Sequence, residues 1–294
     1  MTDQRPESTD PHAQHPQPDT EGEDLPRPGS PGSVTERMEE QPDHGEDSYV
    51  GTGKLADRAV ALAYAREGAD VVLTYLEAEQ EDAEQTARLV EDAGRRALLV
   101  PGDLTSEDFC QQLVDRTVEE FGRIDILVNN AAVYASLQLK PFEEIDVAEW
   151  DKVMAVNVRG PFLCARAVVP FMRTHKYGRI VNISSGTPFK GTPNLLHYVT
   201  SKGAILALTR AIAREVGGDG ILVNTLAPGL VLSEGVIQNA DMRDKLTGPV
   251  LASRAIKRDQ MPEDLVKPLL FLVSDDCAFM TGETVVVDGG SVMH

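Results

Sequence analysis

Residues 178–202 read GRIVNISSGTPFKGTPNLLHYVTSK and pass from a strand pattern to a helix pattern. GRIVNISS is an apolar run ending at Ser185, and the run from Tyr198, YVTSKGAILALTRAIAREV, has the pattern of a long helix. Tyr198 and Lys202 stand at i and i+4, which places both side chains on one helical face within roughly 6 Å. A phenol ionises near pKa ~10, so it relays protons at neutral pH only with help. A neighbouring ammonium gives that help by favouring the phenolate. Ser185, 13 positions before Tyr198, stands at the strand end, where its hydroxyl can hold a substrate oxygen. The plainer alternative is a surface Tyr and Lys on an amphipathic helix; the serine at this distance argues against it.

Working outward, strand and helix patterns alternate from near Tyr49 to the end. RAVALAYAREGAD is an alanine-rich helix pattern closed by Gly68, and VVLTYL is a β-branched strand pattern. Glu77 to Ala93 reads as an amphipathic helix, RALLVPGD as a strand, and Ser106 to Phe121 as a helix with Ser106 as N-cap. RIDILVNNAA is a strand with its exit loop, followed by one long helical pattern over Val147 to His175 with a bend near Asn157 to Gly160. After the Tyr–Lys helix come the strand GILVNTLAPG, residues 230–260 without clean periodicity, a helix from Pro262, and the strand ETVVVDGG. Alternation of this kind predicts a parallel sheet covered by helices on both faces.

Residues 1–48 differ in kind. They hold 8 of the 18 prolines, 13 acidic and 3 basic residues, and almost no large apolar side chains. Such a segment buries too little to offset its ordering entropy, so a disordered acidic tail is expected, with the domain over 49–294. The whole chain carries a formal charge of −19, which argues against binding to nucleic acid or an anionic membrane. Cys110, Cys164 and Cys277 form no CxxC and read as buried thiols of a cytoplasmic protein. No membrane span, secretory signal or metal-ligand spacing is evident.

Asn182-Ile183-Ser184-Ser185, Tyr198-x-x-x-Lys202 and Pro228-Gly229 together resemble the short-chain dehydrogenase/reductase family. Asn129-Asn130-Ala131-Ala132 is similar to the family's Asn-Asn-Ala-Gly loop, 28 residues before Asn157. The resemblance implies a doubly wound, Rossmann-like parallel α/β fold. It also implies hydride transfer between a nicotinamide cofactor and a carbonyl or secondary alcohol. Tyr198 would be the general acid/base and Lys202 would lower its pKa and hold the ribose. Ser185 would orient the substrate oxygen, and Asn157 would seat a relay water. Asp103 and Leu104 would lie at the adenine, Asn129 and Ala131 beside the nucleotide, and Pro228, Gly229 and Ser233 at the nicotinamide carboxamide. The second half looks most like members acting on small secondary alcohols and ketones, including 3-oxoacyl reductases, and family members are commonly homotetramers.

One part is missing. The resemblance implies a first strand and a T-G-x-x-x-G-I-G turn before the first helix, where backbone N–H groups hold the pyrophosphate. Here GKLADR runs straight into AVALAYAREGAD, about 13 residues short of the expected pattern. Gly51-Thr52-Gly53 is no replacement, because no strand precedes it. The expected fold therefore lacks its first central strand, and weak cofactor binding follows. The alternative reading is a cofactor-deficient subunit or binding module that keeps the fold. VVLTYL ends near Tyr75 with no acid before Glu77, which leans towards NADP over NAD. Residues 186–197 and 230–260 are expected to line the substrate pocket, with Phe189, Leu195 and Val231 making it apolar. His197 reads as a substrate-loop or surface residue, and no nucleophile elbow surrounds Ser184 or Ser185.

Overall fold

The structure is a computed structural model describing residues 56–293. The acidic segment 1–48, the lead-in before α1 and Gly51-Thr52-Gly53 lie outside the described residues. Strands and helices alternate as the patterns predict: α1 (Ala56–Arg66), β1 (Val71–Tyr75), α2 (Gln80–Asp92), β2 (Ala97–Pro101), α3 (Glu107–Phe121) and β3 (Ile126–Asn129). Then come α4 (Val147–Met154), α5 (Gly160–His175), β4 (Gly178–Ile183), α6 (Thr187–Lys190), α7 (Leu196–Val216) and β5 (Ile221–Pro228). The chain closes with α8 (Glu234–Gln238), α9 (Ala240–Ser253), α10 (Val266–Val273) and β6 (Thr284–Val287). All paired strands are parallel.

Local chemistry sets the boundaries. Ser106 caps α3 by accepting a hydrogen bond from the Phe109 N–H at 3.2 Å, and Gly122 ends that helix at φ 77°, a left-handed value that costs glycine nothing. The α2 pattern places Ala83, Thr86, Ala87 and Val90 on one buried face. Segment 230–260, unassigned by periodicity, holds α8 and α9. Gly248 and Pro249 interrupt the apolar pattern of α9, and Met242 is its one buried residue, so little amphipathic signal was present.

Successive residues of β4 feed opposite cores. Ile180 packs with Val168, Met172, Val216 and Val223, beneath α5 and α7. Val181 packs with Tyr64, Leu226, Leu269 and Leu272, beneath α1 and α10. This is the two-sided burial that a doubly wound parallel sheet requires. Each large aliphatic side chain here contributes about 2–3 kcal/mol by burial.

The sheet is interrupted. Among the described residues the strands form two sheets, β1-β2 and β3-β4-β5-β6. A strand preceding α1 would reach β1 by a right-handed crossover and would lie between β1 and β3. That is where the two sheets part. α1 bridges the break, with Ala61 and Ala65 against Val71 and Leu73, and Tyr64 in the cluster that holds Ile126 and Val128. Every residue of β1 and β3 is half-buried, whereas β4 and β5 are almost wholly buried.

Native-state hydrogen exchange tests the break. Amides of β1 and β3 facing it are expected to exchange on the order of 100-fold faster than those of β4 and β5. Equal protection would show that the break is closed.

Candidate active site

Helix α7, which carries Tyr198 and Lys202, is fixed to the sheet by buried polar groups. Asn129 Nδ2 at the end of β3 donates to Asn182 Oδ1 on β4 at 2.8 Å. Asn182 Nδ2 donates to Thr209 Oγ1 on α7 at 2.9 Å, and Thr225 Oγ1 on β5 donates to the same hydroxyl at 2.7 Å. Ser184 Oγ donates to the Lys202 carbonyl at 2.7 Å, tying the strand end to the helix.

These ties bring Ser185, Tyr198 and Lys202 together, each less than a tenth exposed. The Ser185 hydroxyl is hydrogen-bonded to the Tyr198 phenol and also accepts the Thr187 N–H at 3.1 Å. Lys202 Nζ lies 5.8 Å from the centre of the Tyr198 ring and donates to the Ile183 carbonyl at 2.8 Å. Burial pushes the Tyr198 phenol well above its ordinary value, Tyr134 adds to the rise, and the Ser185 bond offsets part of it. Burial lowers the Lys202 ammonium to about 8. The phenol is therefore not the depressed one that the i,i+4 spacing suggests. Desolvation of both groups outweighs the attraction, and the lysine bonds to a carbonyl instead.

Asn157 sits in a π-helical turn, Ala155–Arg159, between α4 and α5, where the sequence predicts a bend. The Gly160 N–H bonds five residues back, to the Ala155 carbonyl. Such bulges gather at functional sites because they turn one residue out of helical register. Asn157 Oδ1 accepts the Val133 N–H at 2.8 Å, and its Nδ2 donates to the Val133 carbonyl at 3.2 Å and to Ser201 Oγ at 3.1 Å. The side chain thereby ties the loop after β3 to α7.

The remaining predicted positions ring the C-terminal ends of the strands. Asp103 follows β2, is exposed, and turns back to accept the Thr105 N–H at 2.8 Å. Leu104 beside it accepts the Cys110 thiol through its carbonyl at 3.4 Å. Ala131 is exposed just after β3. Pro228 ends β5, the Gly229 N–H bonds to the Val287 carbonyl at 3.0 Å, and Ser233 begins α8 without a side-chain capping bond. Leu195 is fully buried in the cluster with Tyr198, Phe189 is half-buried, and Val231 joins the opposite cluster with α10.

Several features were not apparent in the sequence. His197 is fully buried rather than at the surface, with Nε2 3.1 Å from Glu149 Oε1 on α4, and Lys140 pairs with the other carboxylate oxygen. Cys110 and Cys164, 54 positions apart, have sulfurs 3.9 Å from each other between α3 and α5. The Tyr134 ring lies 4.5 Å from the Tyr198 ring, centre to centre, and its aromatic character was the only signal.

With this geometry, comparison with known proteins places the chain. A family model described as "Enoyl-(Acyl carrier protein) reductase" matches residues 57–292. The Escherichia coli K12 protein described as "Uncharacterized oxidoreductase YghA" is 33% identical over 275 residues, covering 89% of this chain and 91% of that one. A crystal structure described as a putative short-chain alcohol dehydrogenase from Sinorhizobium meliloti 1021 superposes with a TM-score of 0.75 at 31% identity, covering 82% and 93% of the two chains. A structure of NAD+-bound xylitol dehydrogenase superposes with a TM-score of 0.73 at 32% identity, covering 80% and 94%. The chain belongs to the short-chain dehydrogenase/reductase family, and it is an oxidoreductase of that class.

Two predictions follow from the geometry. Asn157→Ala removes three buried hydrogen bonds and is expected to cost about 2–4 kcal/mol in chemical denaturation, with the loop after β3 loosened. For Lys202, the folded value near 8 lies below the ordinary 10.5. Between those limits the unfolded chain holds a proton that the folded protein has released, so stability contributed by this site rises with pH. Relative to Lys202→Met, the native protein is expected to gain about 3 kcal/mol from pH 7 to 10.5. A pH-independent difference in unfolding free energy would contradict the buried, depressed amine.

Proposed function

We propose that the protein interconverts a ketone and a secondary alcohol bearing apolar substituents, through the single domain of residues 49–294. The observation that carries this reading is the joining of Ser185, Tyr198 and Lys202 in one buried cluster, with Asn157 clamped to the same helix through Ser201. Ser185 orients the substrate oxygen, and Tyr198 gives a proton to that oxygen or takes one from it. Lys202 supplies positive charge beside the phenol as substrate and cofactor rearrange its neighbours, and Asn157 seats the water that returns the proton to solvent.

A nicotinamide cofactor supplies or accepts the hydride when bound. The nucleotide side fits in part. Asp103, Leu104, Asn129 and Ala131 stand at the strand ends where an adenosine would lie. Tyr198, Lys202, Pro228, Gly229 and Ser233 stand where a nicotinamide riboside would lie. Between them, the described residues offer no glycine-rich turn for the pyrophosphate. The end of β1 leans the choice towards NADP, since Tyr75 donates to Gln80 Oε1 at 2.6 Å and no carboxylate precedes Glu77. Exposed Phe162, Phe271 and Phe279 are apolar surface that a homotetramer would cover. A cytoplasmic location fits the three free, buried thiols. Among the described residues no helix is long and apolar enough to cross a membrane.

Ketone reduction at saturating NADPH and then NADH tests the reading. Turnover is expected with an apolar ketone, and Tyr198→Phe is expected to reduce kcat at least ~100-fold. No turnover with either cofactor would favour the non-catalytic subunit.

A further inference from the structure

Tyr198 is only 6% exposed, and protein side chains cover it. Its cluster holds Leu137, Val153, Leu195 and Met242, with Val133, Tyr134, Leu139 and Leu246 packed against them. Within that cover Tyr134 is the residue in ring contact with Tyr198, at 4.5 Å between centres and an interplanar angle of 34°. Tilted aromatic pairs at this separation gain energy beyond their buried area.

The loop that carries Tyr134 is pinned on both sides of it. Upstream, Asn157 holds both the N–H and the carbonyl of Val133. Downstream, Asn239 Nδ2 donates to the carbonyls of Ala135 at 2.7 Å and Leu137 at 3.1 Å. The Leu139 N–H donates to Asp241 Oδ2 at 3.1 Å. Asn239 is at once the N-cap of α9, accepting the Met242 N–H at 3.1 Å. The cap formed by α8 and α9, the loop after β3 and the π-helical turn are thus joined, and Tyr134 is the member of that assembly whose ring lies against Tyr198.

We propose that Tyr134 is the specificity-determining residue of this site: its ring closes the face of Tyr198 beside which a carbonyl substituent must lie. The proposal rests on the reading of Tyr198 as the proton donor. A substrate that brings its oxygen to Tyr198 must slide past the Tyr134 ring or move it. Because hydrogen bonds hold the loop at Val133, Ala135, Leu137 and Leu139, the ring turns about its own side-chain bonds more readily than the backbone withdraws. Small or flat apolar substituents fit this constraint and bulky branched ones do not. The ligand class is therefore a secondary alcohol or ketone with one compact apolar arm.

The test has an arm that needs no turnover. Tyr198 nitration by tetranitromethane, quantified by peptide mass analysis, is expected to rise at least ~5-fold in Tyr134→Ala and Tyr134→Leu, and to stay at the native level in Tyr134→Phe. In the kinetic arm, the ratio of kcat/KM for a cyclohexyl methyl ketone to that for 2-butanone is expected to rise on the order of 10-fold in Tyr134→Ala and Tyr134→Leu, and to hold in Tyr134→Phe. Unchanged nitration in a folded Tyr134→Leu would overturn the proposal, whether or not the protein turns over. An unchanged kinetic ratio alongside increased nitration would overturn the specificity role alone. Absence of turnover in every form would count against the oxidoreductase reading, leaving nitration to decide whether Tyr134 covers Tyr198.

Discussion

The buried chain of hydrogen bonds from Asn129 through Asn182 and Thr209 to Thr225 is the constraint on which the rest of the site depends. It links three parallel strands through Thr209 on the helix that carries Tyr198 and Lys202. Polar groups in a low-dielectric interior must be satisfied, and each member here has one geometry in which it is. Sliding α7 by one turn would orphan Asn182 and Thr225 together. Helix α7 is therefore registered against the sheet by polar specificity, while the apolar clusters on both faces supply the bulk of the stabilisation.

That registration lies wholly within the four-stranded part of the fold. Ser185, Tyr198, Lys202 and Asn157 are positioned by β4, β5, α7 and the π-helical turn, and through Asn129 and Val133 by β3 and its exit loop, of which β3 borders the break. In the two-stranded part, Asp103 and Leu104 follow the end of β2. Between the two parts lies the place where a parallel sheet of this class puts its phosphate-binding strand and turn. The burial of Tyr198 and Lys202 belongs to the same picture. An apolar cover raises one group and lowers the other, leaving both nearer neutrality than they would be in water.

Much of this was legible from residues 178–202 and the alternation around them. Strand and helix patterns fixed the order of elements, and the offset of Ser185 from Tyr198 marked the site. The bend at Asn157 showed as a polar residue inside an otherwise continuous helical pattern, followed by Gly160-Pro161. What stayed hidden depends on distance in space rather than along the chain. Periodicity cannot show that His197 meets Glu149, that Cys110 meets Cys164, or that Tyr134 stacks on Tyr198. It also failed for α9, whose single buried residue leaves no apolar stripe to read. The direction of the Tyr198 shift was misjudged for a related reason: i,i+4 spacing gives proximity to an ammonium but says nothing of the burial that outweighs it.

Among the described residues Ser185, Tyr198 and Lys202 are brought together in a buried site, and no glycine-rich turn for a pyrophosphate is present. Titration of the full chain with NADPH and with NADH, followed by nicotinamide fluorescence, tests this most directly. The prediction is weak binding of both, with dissociation constants on the order of 1 mM or above. Micromolar binding of NADPH would contradict it.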